Sequence, residues 1–281
     1  MHALRLSWVI LLAALAASTA ASAGSTGPPG AHRETARSGT WSAAFTYVKT
    51  AANGPDSYTQ LHLVVSNGAT SVLDAPVVSR VAAGQLQPGG FDGRSSISFR
   101  DLDADGTPEL LLDLYTGGAH CCFLTQVFDL VSSPPRKREL DFADAGARLI
   151  VVGGAVLFRT TDPVFAYAFT DFADSGAPIA LWSYTRSGMR NVTRTRPALV
   201  RTDAKTWWTA YRVQARRKGD VRGLLSAWAA DEAMLGRAAQ AHATLDAIAR
   251  SGALARGDGG AKGAAYVRQL WRFLGRYGYL R

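Results

Sequence analysis

The 281-residue sequence predicts an α+β protein, with an antiparallel β-rich domain carrying one acidic loop, followed by a helical C-terminal segment. Three observations carry that reading. Apolar and polar residues alternate at period two through much of the first 200 residues, as at Phe45 and Tyr47 and at Leu61, Leu63 and Val65. Clusters of Gly and Pro separate those runs. Beyond residue 203 the apolar spacing lengthens to three and four residues, Ala dominates, and no Pro follows Pro197. With 47% hydrophobic and 19% charged residues the chain can bury a substantial core, which excludes a disordered or fibrous protein. Two cysteines exclude a disulfide-dense scaffold.

Residues 1–23 read as a secretory signal, with Arg5 as the positive end, an apolar run Trp8–Ala17, and Ala21-Ser22-Ala23 as a small-x-small cleavage site. The apolar run is shorter than the roughly 20 residues that span a bilayer, and no later segment is long enough to do so. The expectation is therefore a secreted or extracytoplasmic protein with no transmembrane segment once the signal is removed. Residues 24–40 are Gly-, Pro- and Ser-rich without periodicity and predict a flexible linker. The β-rich domain is placed at 41–200, with strands around Phe45–Tyr47, Leu61–Val65, Ile97–Phe99, Glu109–Tyr115, Phe123–Leu130, Leu149–Arg159, Val164–Phe169 and Ile179–Tyr184. Turns are expected at Asn53-Gly54-Pro55-Asp56, Gln87-Pro88-Gly89-Gly90, Ser133-Pro134-Pro135 and Ser175-Gly176-Ala177-Pro178. In the helical segment, 201–281, the spacing from Val221 to Ala249 predicts two helices broken near Asp231 and Gly236. A last helix is expected from about Ala264, with Val267, Leu270, Trp271 and Leu274 facing a core.

The most specific motif is Asp101-Leu102-Asp103-Ala104-Asp105-Gly106-Thr107-Pro108-Glu109, followed by Leu110-Leu111-Leu112. Carboxylates at alternate positions can converge inside a tight loop, Gly106 allows the reversal, Thr107 can add its carbonyl, and Glu109 can close the shell. Calcium takes six to eight hard oxygens at about 2.3–2.6 Å, and this spacing supplies most of them locally. An EF-hand would need a Glu where Leu112 stands, and the flanks read as strands. The pattern instead resembles the calcium loop of FG-GAP and VCBS-type repeats over roughly residues 97–115, in a single copy, whereas a β-propeller built of such repeats needs several. With Tyr115-Thr116-Gly117-Gly118-Ala119-His120-Cys121-Cys122 added, the stretch is similar to a family of uncharacterised secreted bacterial proteins. That resemblance implies export and the loop, and carries no activity. The expected ligands are Asp101, Asp103, Asp105, Thr107 (main chain) and Glu109, holding a structural Ca²⁺.

Cys121 and Cys122 are adjacent, which in an oxidising compartment makes them candidates for a vicinal disulfide. Buried thiols are the plain alternative, and His120-Cys121-Cys122 as a thiol or metal centre of an enzyme is the third. His62 and His242 read as core residues, and Trp207-Trp208 as core aromatics. Charge is uneven: residues 24–174 hold 11 basic and 16 acidic side chains, residues 175–281 hold 19 and 6. Arg268, Arg272 and Arg276 recur every four residues and could meet an anionic polymer or cell-envelope component, although a solvated helix face also needs charge. No motif for specific nucleic-acid recognition accompanies them, and no catalytic constellation is present. The reading is of a non-enzymatic calcium-binding protein of unknown role, with the anionic-polymer binder and the enzyme as alternatives.

Overall fold

The computed structural model describes residues 29–51, 56–82, 86–90, 93–118, 121–257 and 259–280. The signal assignment, the turn at 53–55 and His120 lie outside them. The fold is mixed α+β, with the helices at the C-terminal end. Strands β1 (Ala31–Ser38), β2 (Trp41–Thr50), β3 (Ser57–Asn67) and β4 (Thr70–Pro76) form an antiparallel meander. A second sheet is built around β7 (Glu109–Gly118), with β8 (Cys121–Asp129) and then β9 (Arg136–Asp141) on one side. β5 (Gln87–Pro88) and β6 (Ile97–Arg100) share its other edge. The third sheet runs β10 (Arg148–Val152), β11 (Ala155–Thr161), β12 (Ile179–Thr185) and β13 (Gly188–Asn191). Helices α1 (Pro197–Arg216), α2 (Arg222–Met234), α3 (Ala238–Arg250) and α4 (Gly263–Arg276) follow.

The apolar run after the acidic loop explains the layering. Side chains of a strand alternate between faces, so a continuous run can be buried only if both faces are covered. Leu110, Leu112 and Leu114 pack against Phe45, Leu63 and Val65 of the first sheet. Leu111 and, on β8, Val127 face the other way, onto Phe158 and Tyr184 of the third sheet. The third sheet in turn sends Ile179 and Leu181 to Val200 of α1. The second sheet is thus the middle of a stack, and truncating a fully buried leucine there, such as Leu112→Ala, is expected to cost about 2–5 kcal/mol.

Several expectations are corrected. Residues 31–38 are not linker but the edge strand β1, whose Arg33 and Arg37 stay in water while Glu34 accepts from Ser95 Oγ and Ser96 N. Val164–Phe169 is not a strand: Asp162 accepts from Val164 N and caps a 3-10 helix at Pro163–Phe165. Leu149–Arg159 is two strands, turned at Gly153 and Gly154, both in the left-handed region. The helical part begins earlier than 201, because Pro197 occupies the first helical turn, where its missing N–H costs nothing. The α2–α3 break falls at Gly236 alone, with Asp231 inside α2. His62 is no core residue; its side chain is 40% exposed and lies 2.6 Å from Asp74. His242 likewise pairs with Asp246 at 3.1 Å, edge-on to Trp271. Trp207 and Trp208 are half-buried against the helical core, as expected.

Candidate metal centre

Arg100 and Glu109 face each other at the end of the β6–β7 hairpin, so residues 101–108 form the loop that joins the two strands. Leu102 anchors it by burying its side chain against Leu111 and Phe158. The loop is then wound by its own acids. Asp101 accepts from Asp105 N and Gly106 N, Asp105 accepts from Thr107 N at 2.7 Å, and Glu109 accepts from Leu102 N at 2.8 Å. Ala104 and Gly106 take positive φ at the reversal, 61° and 88°. The result is that carboxylate oxygens of Asp101, Asp103 and Glu109 lie within 4.8 Å of one another.

The electrostatics of that cluster are unbalanced. Glu109 is only 2% exposed, and its carboxyl is pushed up to about 7, first by burial and then by the charges of Asp103 and Asp101, against the pull of the Leu102 amide. Asp103 Oδ1 is buried and has no hydrogen-bond partner among the described residues. Three carboxylates facing one another, one of which carries a buried oxygen without a donor among the described residues, are what a hard cation such as Ca²⁺ fits. Of the five expected ligands the structure therefore brings three together. Asp105 instead points its second oxygen at Arg186, and Thr107 contributes its amide to the loop.

Two participants were invisible to the sequence reading. Asp129, at the end of β8, is 3% exposed and accepts from Val131 N and Ser132 Oγ. Arg186 forms, with Ser187, the two-residue tip of the β12–β13 hairpin. Its Nε lies 3.8 Å from Asp103 and 4.0 Å from Asp129, and its guanidinium bonds Asp105. Tyr184, on the same hairpin, has its phenol raised by burial and then by Glu109 and Asp129. No local pattern marks either residue; only the docking of the third sheet on the second brings them to the loop.

The remaining expected sites lie elsewhere. Cys121 and Cys122 stand side by side at the start of β8 with their sulfurs in contact, and Cys122 N donates to Thr116 Oγ1. Arg268, Arg272 and Arg276 are all exposed on α4, whose other face buries Tyr266, Val267, Leu270 and Leu274. Among the described residues no helix is long and apolar enough to cross a membrane.

Comparison with known proteins adds one relative. A protein of Synechocystis sp. described as "Probable thylakoid lumen protein" is 27% identical over 149 residues, which is 50% of this chain. The chain thus spans less than half of that relative, 44% of its length. No family model and no solved structure matches the chain.

Proposed function

We propose that this is an extracytoplasmic, non-enzymatic protein whose second sheet is tied together by a structural Ca²⁺. The observation that carries the proposal is the convergence of Asp101, Asp103 and Glu109 inside 4.8 Å, with a buried Asp103 oxygen lacking a donor. Asp105 and the Thr107 carbonyl complete the ligand set as the loop adjusts to the ion, and the cation removes the repulsion that raises Glu109. The ion joins the end of β6 to the start of β7, so its role is to hold the loop on which the third sheet's hairpin rests. The signal-like residues 1–23 and the lumenal description of the Synechocystis relative support the location.

Calorimetric titration of the full chain with CaCl₂ tests the site. Binding is expected with Kd of about 10⁻⁴–10⁻³ M, the range of extracellular calcium modules. It should be lost in the double variant Asp103→Asn/Glu109→Gln, and heat that persists unchanged in that variant would place the ion elsewhere.

The exposed arginine row of α4, a helix with no acidic residue, supports an anionic envelope polymer as the partner. Retention on heparin or teichoic acid is expected to fall steeply with salt and in the triple variant Arg268→Ala/Arg272→Ala/Arg276→Ala. Retention indifferent to both would remove this partner.

A further inference from the structure

Away from the acidic loop, a cleft of about 800 Å³ opens where the second sheet, the third sheet and the end of α4 meet. Its size falls within the roughly 300–1,000 Å³ usual for small-molecule sites, and junctions between layers are where such sites occur. The sheet register explains why there is space. On one face of the third sheet Phe158 pairs with Trp182, but the next pair along that face is Thr160 with Ala180. Two small side chains follow two large ones, so the packed floor steps down beside the indole. Asn191, paired with Trp182 on β13, stands at the open edge, and Asp141 of β9 and Tyr277 after α4 complete the rim.

The polar groups of the cleft are held in place by the chain. Asp162 accepts from Val164 N at 3.1 Å and from the Tyr279 hydroxyl at 2.6 Å. Asp141 uses Oδ1 to accept from Ala143 N, which leaves Oδ2 for a ligand. Arg194, the one cation in the lining among the described residues, donates to the carbonyls of Met234, Gly278 and Tyr279. Glu139 is turned to Ser79, Arg80, Val81 and Gln126. Fixed acceptors with a committed cation repel anions. A purely apolar ligand would strip water from those carboxylates without replacing its hydrogen bonds. Aromatic surface beside fixed acceptors suits a ring that carries C–H groups on its face and hydroxyls on its edge.

We infer that this cleft binds a carbohydrate, a neutral sugar residue resting on Trp182 and donating its hydroxyls to Asp141 and Asn191, with Tyr277, whose ring packs on Phe273 beside Arg276, closing the rim against it. The inference goes beyond the calcium site and shares no residue with it. The test is calorimetric titration of the full chain with cellotetraose, maltotetraose and tetraacetylchitotetraose, each in calcium and in chelator. At least one is expected to bind at micromolar to millimolar concentration in both buffers. Asp141→Ala/Asn191→Ala and Tyr277→Ala should each weaken it at least tenfold while leaving the melting temperature in place. No binding of any of the three at about 10 mM overturns the inference, as does binding that ignores those substitutions. Binding of tetramethylammonium with the sugars silent would make the cleft a cation site and overturn it as well.

Discussion

The helical layer and the acidic loop both take charge out of water, and they compensate it in different ways. In the helical layer Arg222 is 1% exposed; it is bonded to Asp220 and donates to the carbonyls of Gly259 and Ala261. Burial raises the Asp220 carboxyl, but the Arg222 guanidinium and amide and the Thr170 hydroxyl outweigh it, and the net shift is downward. That pair is closed within the chain and pins the α3–α4 connection to the start of α2. In the loop, Asp103, Asp105 and nearby Asp129 share half-exposed Arg186, no ion pair reaches Asp101 or Glu109 among the described residues, and Glu109 is pushed up rather than down. A third arrangement lies between α1 and α2. Asp231 is fully buried, neither oxygen has a donor among the described residues, and burial followed by its neighbour Asp203 pushes it up to about 10. Two ionised carboxylates cannot bond each other; a proton on Asp231 lets it donate to Asp203. Excess buried acid is thus met by an internal cation at Asp220 and by a proton at Asp231, and the proposed Ca²⁺ would meet it at the loop.

Breaking the closed pair should have the largest effect. Arg222→Ala leaves Asp220 buried and unpaired and is expected to cost about 3–5 kcal/mol in urea unfolding, whereas Arg222→Met/Asp220→Leu should recover much of that. A loss under 1 kcal/mol for the single variant would show that the pair does not hold the helices. The proton-compensated acid comes next. Asp231 keeps a proton in the native state that the unfolded chain releases near pH 4, so it makes stability fall as pH rises above that value toward about 10. Asp231→Asn, which needs no proton, should flatten that slope and be more stable at pH 8 by about 1–3 kcal/mol. Parallel stability–pH curves for the two proteins would contradict the assignment. Arg186→Gln is the smallest change, within about 1 kcal/mol in chelator because the side chain is 45% exposed. It should nevertheless raise calcium affinity a few-fold, since a guanidinium 3.8 Å from Asp103 repels the ion. A fall in affinity would make Arg186 part of the ion's support instead.

The order of layers, strands first and helices last, could be read from the change of period near residue 200, and so could the loop motif, because both are local patterns. What escaped the reading depends on contacts distant in sequence. β1 has only Ala31 and Ala36 as apolar residues, so Ala31–Ser38 shows no hydrophobic alternation in sequence, although its burial alternates from Glu34 to Ser38. The run Leu110-Leu111-Leu112 announces burial, but only the two flanking sheets show that its residues face two cores. Val164–Phe169 has the apolar pattern of a strand, but Asp162 and Pro163 start a 3-10 turn there. At the site, Asp101, Asp103 and Glu109 are neighbours in sequence and legible there, whereas Arg186 reaches Asp105 across 81 residues and carries no local signal. The cleft followed the same rule, since Asp141, Asn191 and Tyr277 come from three elements that share no motif.

The most direct test of the calcium account is a pair of thermal melts of the full chain, one in chelator and one in CaCl₂ at about ten times the Kd. The expected stabilisation is roughly 1.4 kcal/mol, or about 3–5 °C for a chain of this size, absent in Asp103→Asn/Glu109→Gln. Superimposable wild-type melts in calcium and chelator would contradict it and leave Arg186 as the cation of the loop.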